Sequence, residues 1–162
     1  MKLPLLVIAI TFLILSPPAT VPCRAQQEGG HQNELPIGQP ETVEIRAHDV
    51  WNHTGIHISR GQRYRFIAKG IWCDFYKPTT ADGYESVLFT PIEHKLRQPE
   101  MNWLALVGCV DEKPENTFLI GRENELIARD DGELTCFANG IPGKYGKKWG
   151  SVRLTVTRLD WP

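Results

Sequence analysis

The chain has 162 residues, of which 41% are hydrophobic, and its 18 basic residues are nearly balanced by 19 acidic ones. A length of this order suits one domain with a single hydrophobic core. The near-neutral charge excludes the strongly basic class of nucleic-acid-binding proteins, so no nucleic-acid partner is expected.

The N-terminal segment has the layout of a secretory signal peptide. Lys2 precedes an apolar run from Leu5 to Leu15, and a Ser-Pro-Pro sequence follows that run. The run is too short to cross a bilayer, so no membrane span is expected. The small residue Ala25 fits a cleavage site, which predicts a signal peptide over residues 1–25 and a mature start near Gln26. The protein is therefore expected to be secreted or periplasmic.

A polar stretch follows the predicted signal peptide. Residues 26–40 are rich in Gln, Gly, Asn, Glu and Pro and contain few large apolar side chains. A segment of this composition cannot bury enough apolar surface to order itself. We therefore expect a flexible tether over residues 26–40 and one folded domain over residues 41–162.

Apolar and polar side chains alternate with a period of two along most of the domain, beginning near Val43. Each alternating run is short and is bounded by Gly, Pro, Asp or Asn, which indicates strands. Such a chain is expected to form two packed antiparallel sheets. The alternation predicts a core that contains Val43, Ile45, Ile56, Ile58, Tyr64, Phe66, Leu104, Leu106, Leu134, Val152, Leu154 and Val156.

The stretch from Pro78 to Asn102 interrupts this pattern. It contains a Thr-Thr-Ala-Asp-Gly run and two further prolines, Pro91 and Pro99, with few alternating positions. We expect a long excursion there, with a short helix near Glu93 to Arg97. Long loops in compact domains are often functional.

Three cysteines remain after removal of the predicted signal peptide: Cys73, Cys109 and Cys136. Export permits disulfides, but an odd number leaves at least one thiol unpaired within the chain. Two arrangements stay open: three small buried residues in strands, or one intramolecular bridge and a spare thiol. The spacing fits no zinc motif.

The histidines give no metal site. His48, His53 and His57 are close in sequence, but Ile56 and Ile58 flank His57 in a strand pattern that turns His57 to the opposite face. His53 is expected in the preceding turn. The sequence offers no carboxylate partners for these imidazoles, so we interpret them as exposed strand and loop residues.

The sequence also carries no recognisable catalytic motif, and the protein is not expected to be an enzyme. It has no nucleophile elbow, no Ser or Cys paired with a base, and no phosphate-binding glycine loop. The Asp130-Asp131-Gly132 run is a turn signal rather than an acid/base pair. Asn52-His53-Thr54 is an N-glycosylation sequon.

The five tryptophans are candidates for sugar contacts, because an indole face can stack on sugar C–H groups. Trp72 and Trp103 adjoin predicted strands and are interpreted as core residues. Trp149 lies between Lys148 and Gly150 in a predicted loop. It is expected to be exposed, and a lid over the core is the alternative.

The most specific pattern in the chain runs from Asn139 to Ser151. It reads Asn-Gly-Ile-Pro-Gly-Lys-Tyr-Gly-Lys-Lys-Trp-Gly-Ser. It resembles the C-terminal signature of the LecA-like (PA-IL) galactophilic lectins, Asn-Asp-x-Pro-Gly-x-Tyr-Gly-Asn-Asn-x-Gly-Ser. Three upstream segments, which begin at Trp51, Ala68 and Trp103, resemble the same family in the same order. The resemblance covers residues 43–158 and implies an all-β fold, a jelly-roll-type antiparallel β-sandwich of the galactose-binding-domain-like kind.

In that family, one calcium ion binds both the protein and galactose hydroxyls. The resemblance places its side-chain ligands at Gly140, Lys147 and Lys148, where the family has one Asp and two Asn residues. None of these three residues offers a side-chain oxygen, and an ammonium repels a cation. The carbonyl at Lys144 could still bind calcium, but carbonyls alone make a poor site. No cofactor is therefore expected.

Two interpretations follow from these departures. In the first, the protein is a calcium-independent carbohydrate-binding module, in which Lys147 or Lys148 replaces the cation. Its partner would be a saccharide or glycoconjugate, with acidic saccharides included, and an oligomer stays open. In the second, the sandwich binds no sugar and serves as a structural or protein-interaction domain at the cell surface or in the periplasm. The predicted ligand-binding residues are Asn139, Lys144, Tyr145, Lys147, Lys148, Trp149, Asp74, Phe75, Tyr76, Asp82 and His94.

Overall fold

The computed structural model describes residues 34–160, so the predicted signal peptide and residues 26–33 of the predicted tether lie outside the described residues. Within residues 34–160, none of the helices has the length and apolar character needed to cross a membrane. The strands are β1 (Pro40–Arg46), β2 (Asn52–Ile58), β3 (Arg63–Asp74), β4 (Lys77–Thr79), β5 (Asp82–Tyr84), β6 (Trp103–Val110), β7 (Thr117–Leu119), β8 (Glu123–Ile127), β9 (Gly132–Ala138) and β10 (Lys148–Leu159). Short 3₁₀ helices span Val87–Lys95, Pro114–Asn116 and Tyr145–Lys147.

The strands form two antiparallel sheets. The first has the order β1-β10-β3-β4, with β8 also paired to β3, and the second has the order β2-β9-β6-β5, with β7 also paired to β6. Strands distant in sequence lie side by side, as β1 and β10 do. The predicted all-β sandwich of jelly-roll type is therefore confirmed.

The core lies between the two sheets and contains the predicted residues. Eleven of the twelve are buried, and Val43 is partly buried against the same cluster. Trp72 and Trp103 are also buried, as predicted. Full burial of one such large side chain contributes about 1.5–3 kcal/mol, so a slip of one residue in any of these strands would be costly.

The predicted tether is wrong at its C-terminal end. Leu35 is only 4% exposed and belongs to the core cluster, and Pro40 begins β1. The Gly38 backbone N–H donates to the Arg158 carbonyl oxygen at 2.8 Å. One buried leucine and pairing with the sandwich order residues 34–40, although their composition is polar.

Other corrections concern short elements. Strands β4, β5 and β8 were not predicted. β4 and β5 have three residues each with turn-like composition, and the five residues of β8 are too few to give a clear alternation. His53 lies within β2 rather than in a turn before it. In the excursion, the 3₁₀ helix Val87–Lys95 begins earlier than the predicted helix near Glu93 to Arg97 and ends before Arg97.

The excursion packs against the outer face of the second sheet. The guanidinium of Arg97 lies 3.6 Å from the ring centroid of Trp51 and 3.8 Å from that of Phe137. Its Nη1 donates to the Val50 carbonyl oxygen at 2.7 Å. This stacking fixes the excursion over one end of the sandwich, where it forms one wall of the cleft described below.

Cys73, Cys109 and Cys136 are buried, and none of them forms a disulfide within residues 34–160. Cys136 pairs with Gly108, and Cys109 pairs with Thr135, so the two thiols lie on neighbouring strands but on opposite faces of the sheet. Burial raises the pKa of the Cys109 thiol to about 11. This outcome matches the first of the two predicted arrangements.

Candidate functional site

A cleft of about 580 Å³ lies at the end of the sandwich. Its walls come from the end of β3, the 3₁₀ helix Val87–Lys95 and the loop that leads into β10. Five of the predicted site residues line it: Asp74, Phe75, Lys144, Lys147 and Lys148. The rest of the lining is mostly apolar and was not predicted as site; it comprises Phe89, Ile92, Trp103, Ile141, Gly143 and Gly146.

Lys148 is the most unusual of these residues, because its side chain is only 2% exposed. It begins β10 directly opposite Asp74 of β3, and its Nζ lies 3.7 Å from Asp74 Oδ1. At this separation the two groups form an ion pair at the wall of the cleft. Burial lowers the pKa of Lys148, and the Asp74 carboxylate opposes part of this effect.

Asp74 is held from its other side by Tyr84. The Tyr84 hydroxyl donates to Asp74 Oδ2 at 3.0 Å, and the Lys77 ammonium lies 3.7 Å from the centroid of the Tyr84 ring. Burial, followed by the Asp74 charge, raises the pKa of the Tyr84 hydroxyl, so it stays a donor. Asp74 therefore has a fixed orientation between a phenol and an ammonium.

Gly140 provides the space that Lys148 occupies. A Cβ atom built at position 140 would lie 2.6 Å from Lys148 Cε and 2.7 Å from its Nζ. Real side chains do not approach so closely, so any larger residue at 140 must displace the ammonium. Gly140 and Lys148 both depart from the family pattern, and the structure shows that the two departures are linked. The glycine at 140 leaves the space that the Lys148 ammonium occupies.

Phe75 and Trp149 lie beside this pair. Phe75 lines the cleft, and its ring is half exposed. Trp149 is 57% exposed, which confirms the predicted exposure and excludes a lid over the core. Its indole does not line the cleft. Instead, Trp149 Nε1–H donates to the Phe75 carbonyl oxygen at 2.5 Å.

Asn139 has a different role from the predicted one. It is buried, it does not line the cleft, and its amide is fully occupied by hydrogen bonds within the domain. Its Nδ2 donates to the carbonyl oxygens of Gln98, Met101 and Asn102 at 2.8, 2.9 and 3.1 Å, and its Oδ1 accepts from the Gln98 N–H at 3.0 Å. Asn139 fastens the end of the excursion to β9.

Four other predicted site residues lie outside the cleft lining. Tyr145 is buried, and its hydroxyl has no hydrogen-bond partner among residues 34–160. Tyr76 and His94 are exposed elsewhere on the surface. Asp82 forms an ion pair with Arg122. Sequence neighbours alternate in direction on a strand or turn, so proximity in sequence did not bring these side chains into the cleft.

The glycosylation sequon is structural in the folded domain. Asn52 is buried, its Oδ1 accepts from the Arg46 N–H at 2.8 Å, and its Nδ2 donates to the Arg46 carbonyl oxygen at 3.1 Å. The prediction that the histidines lack carboxylate partners is wrong for His53, whose imidazole lies 3.1 Å from a Glu112 oxygen and 3.2 Å from a Glu133 oxygen. Within residues 34–160, no three His, Cys, Asp or Glu side chains are grouped so that they could hold a metal ion.

Comparison with solved structures finds a likeness in fold. A solved structure described as the EclA N-terminal domain, a PllA-like lectin, is similar to this chain. The TM-score is 0.57 at 15% identity, over 72% of this chain and 94% of that chain. No family model and no curated protein sequence matches. At this identity the likeness shows a lectin-like fold alone, and membership of the LecA-like family stays a prediction.

Proposed function

We propose that this protein is an exported carbohydrate-binding module that binds a saccharide in the 580 Å³ cleft without calcium. One observation carries the proposal: the buried ammonium of Lys148 occupies the space left by the missing side chain at Gly140. A fixed ammonium can donate hydrogen bonds to sugar oxygens. In the family that the sequence resembles, a calcium ion coordinates such oxygens instead.

The charges that line the cleft favour an acidic ligand. Lys144, Lys147 and Lys148 stand against the single carboxylate of Asp74. Hydrogen bonds between an ammonium and a carboxylate or sulfate are roughly twice as strong as neutral ones. A sugar acid or a sulfated sugar therefore fits this cleft better than a neutral hexose.

The residues present do not fit a calcium ion. Calcium takes six to eight oxygen ligands. The three positions at which the family has side-chain oxygen ligands hold Gly140, Lys147 and Lys148 in this chain. The Lys148 ammonium already fills the volume beside Gly140. These contacts support calcium independence, and the absence of a catalytic motif supports a binding role over an enzymatic one.

A second candidate function is favoured by a separate observation. Val87 and Leu88, at the start of the excursion helix, are 91% and 87% exposed. Two adjacent apolar side chains with such exposure are typical of a protein-interaction surface. In that case the sandwich would be a structural or interaction domain, and the cleft would bind no sugar.

Isothermal titration of the purified protein separates these functions. D-galacturonate and D-galactose serve as ligands, each with chelator and with added calcium. We expect galacturonate to bind more tightly than galactose, equally in both conditions, and more weakly as salt rises. Lys148→Met should abolish this preference. Binding that requires calcium, or no binding of either ligand, would overturn the proposal.

A further inference from the structure

The backbone of Phe75 adopts a conformation that aromatic residues rarely take. Its φ is +56°, in the left-handed region where a bulky side chain is sterically disfavoured. Such strain persists only where the surrounding structure enforces it, and it concentrates at ligand-binding sites. Phe75 is also the residue that follows Asp74 and lines the same cleft.

Contacts from the facing loop hold Phe75 in this conformation. Its backbone N–H donates to the Lys147 carbonyl oxygen at 3.0 Å, and its carbonyl oxygen accepts from Trp149 Nε1–H at 2.5 Å. The Lys147 ammonium lies 4.3 Å from the centroid of the Phe75 ring, within cation–π range. Both peptide groups and the ring are thus fixed by the loop that carries the lysines.

We infer that Phe75 is an aromatic platform on which the pyranose ring of the ligand stacks, and that its strained backbone serves to present this platform. The inference rests on the proposed function and assigns the apolar contact with the sugar ring to Phe75. Phe75 is half exposed at the cleft wall, between Asp74 and the loop that carries Lys144 and Lys147. A pyranose with a continuous C–H face could lie on the ring while its polar edge meets the Lys148 ammonium.

Three substitutions separate a platform from a purely structural residue. Phe75→Gly removes the ring and relieves the strain, because glycine accepts positive φ without cost. Phe75→Ala removes the ring and keeps the strain. Phe75→Tyr keeps both. Galacturonate affinity and the thermal unfolding midpoint are measured for each variant and for the native protein.

We expect Phe75→Gly and Phe75→Ala to lose affinity alike, by roughly two- to tenfold, the usual worth of an aromatic stacking contact. Their stabilities should differ, with Phe75→Gly unfolding at the higher temperature, and Phe75→Tyr should retain binding.

If both small variants bind galacturonate as the native protein does, the platform is overturned while the proposed function stands. If affinity simply follows the unfolding midpoint, the role is structural and the inference is also wrong. If the native protein binds neither sugar, the proposed function fails, and the platform fails with it.

Discussion

At the scale of single residues, the position of the Lys148 side chain depends on the absence of a side chain at Gly140. A methyl group at position 140 would overlap Lys148 Cε and Nζ, so the end of this side chain would have to leave its position beside Asp74. We expect Gly140→Ala to lower the free energy of unfolding by about 1 kcal/mol, the low end of the range for over-packing, because the atoms that must move end a flexible side chain. Urea unfolding measures the change.

Gly146→Ala is the matched control for that substitution. Position 146 lies in the same loop, and a Cβ atom there meets nothing within 4 Å. Its unfolding free energy should stay within about 0.5 kcal/mol of the native value. Equal stability of the Gly140→Ala protein and the native protein would show that Lys148 does not depend on the space at 140.

Lys148 should also give the protein a distinctive pH dependence. Burial lowers its pKa below the ordinary 10.5, so between the lowered pKa and 10.5 the unfolded chain binds more protons than the folded one. Stability contributed by this group must then rise with pH across that window. We expect the native protein to gain stability relative to Lys148→Met as pH rises toward 10.5. A difference independent of pH would mean that Lys148 keeps its ordinary pKa.

Ligand affinity should respond in the opposite direction. Only the protonated amine carries the charge that attracts a carboxylate, so galacturonate binding should weaken as pH rises through the lowered pKa of Lys148. Titrations over the same pH window measure this. Binding that stays constant up to pH 10.5 would exclude the Lys148 ammonium from the site.

At the scale of secondary-structure elements, Asn139 fixes the end of the long excursion against β9. Its amide donates to three carbonyl groups of the excursion. Removal of the side chain would take this donor from the Met101 carbonyl oxygen, whereas the carbonyl oxygens of Gln98 and Asn102 would each keep a backbone N–H partner. We expect Asn139→Ala to lower the free energy of unfolding by about 1–3 kcal/mol. Hydrogen exchange should show the loss in residues 98–102.

Asn102→Ala is the control, since the Asn102 side chain is exposed and donates one long hydrogen bond of 3.3 Å, to the Asp82 carbonyl oxygen. Its stability should change by less than about 0.5 kcal/mol. An Asn139→Ala protein as stable as this control would contradict the fastening role and would reopen a ligand-binding role for Asn139.

The long strands could be predicted from sequence because one face of each is buried. In β10, the inward set Val152, Leu154 and Val156 alternates with outward polar residues, and the structure places that set in the core. By contrast, β4 and β5 have three residues each and exist because of pairing with β3 and β6. Their sequences carry no pattern that could reveal this.

The candidate site could be predicted only in part, because its contacts depend on the path of the loop and not on a pattern in the sequence. Lys148 and Gly140 were recognised as departures from a family pattern, but their contact depends on the loop path between them. Asn139 and Tyr145 share that loop and point inward. The strained φ of Phe75 and the apolar wall from Phe89 and Ile92 have no sequence signal.

At the scale of the whole molecule, the sandwich has a lectin-like fold, and the cleft at its end is lined in part by Lys148, whose side chain is buried. The lining combines three lysines with aromatic and aliphatic side chains, so it suits a ligand with one charged or polar edge and one apolar face. Calcium should be irrelevant to this arrangement. Calcium added to the protein should leave its unfolding midpoint unchanged, whereas a ligand specific for the folded state would raise it.

The most direct test is a crystal structure of the protein grown with galacturonate in a calcium-containing solution. We expect a ligand oxygen within about 3 Å of Lys148 Nζ, the sugar ring packed against Phe75, and no cation between protein and sugar. A calcium ion that bridges the loop and the sugar, or a sugar bound away from Lys148, would contradict it.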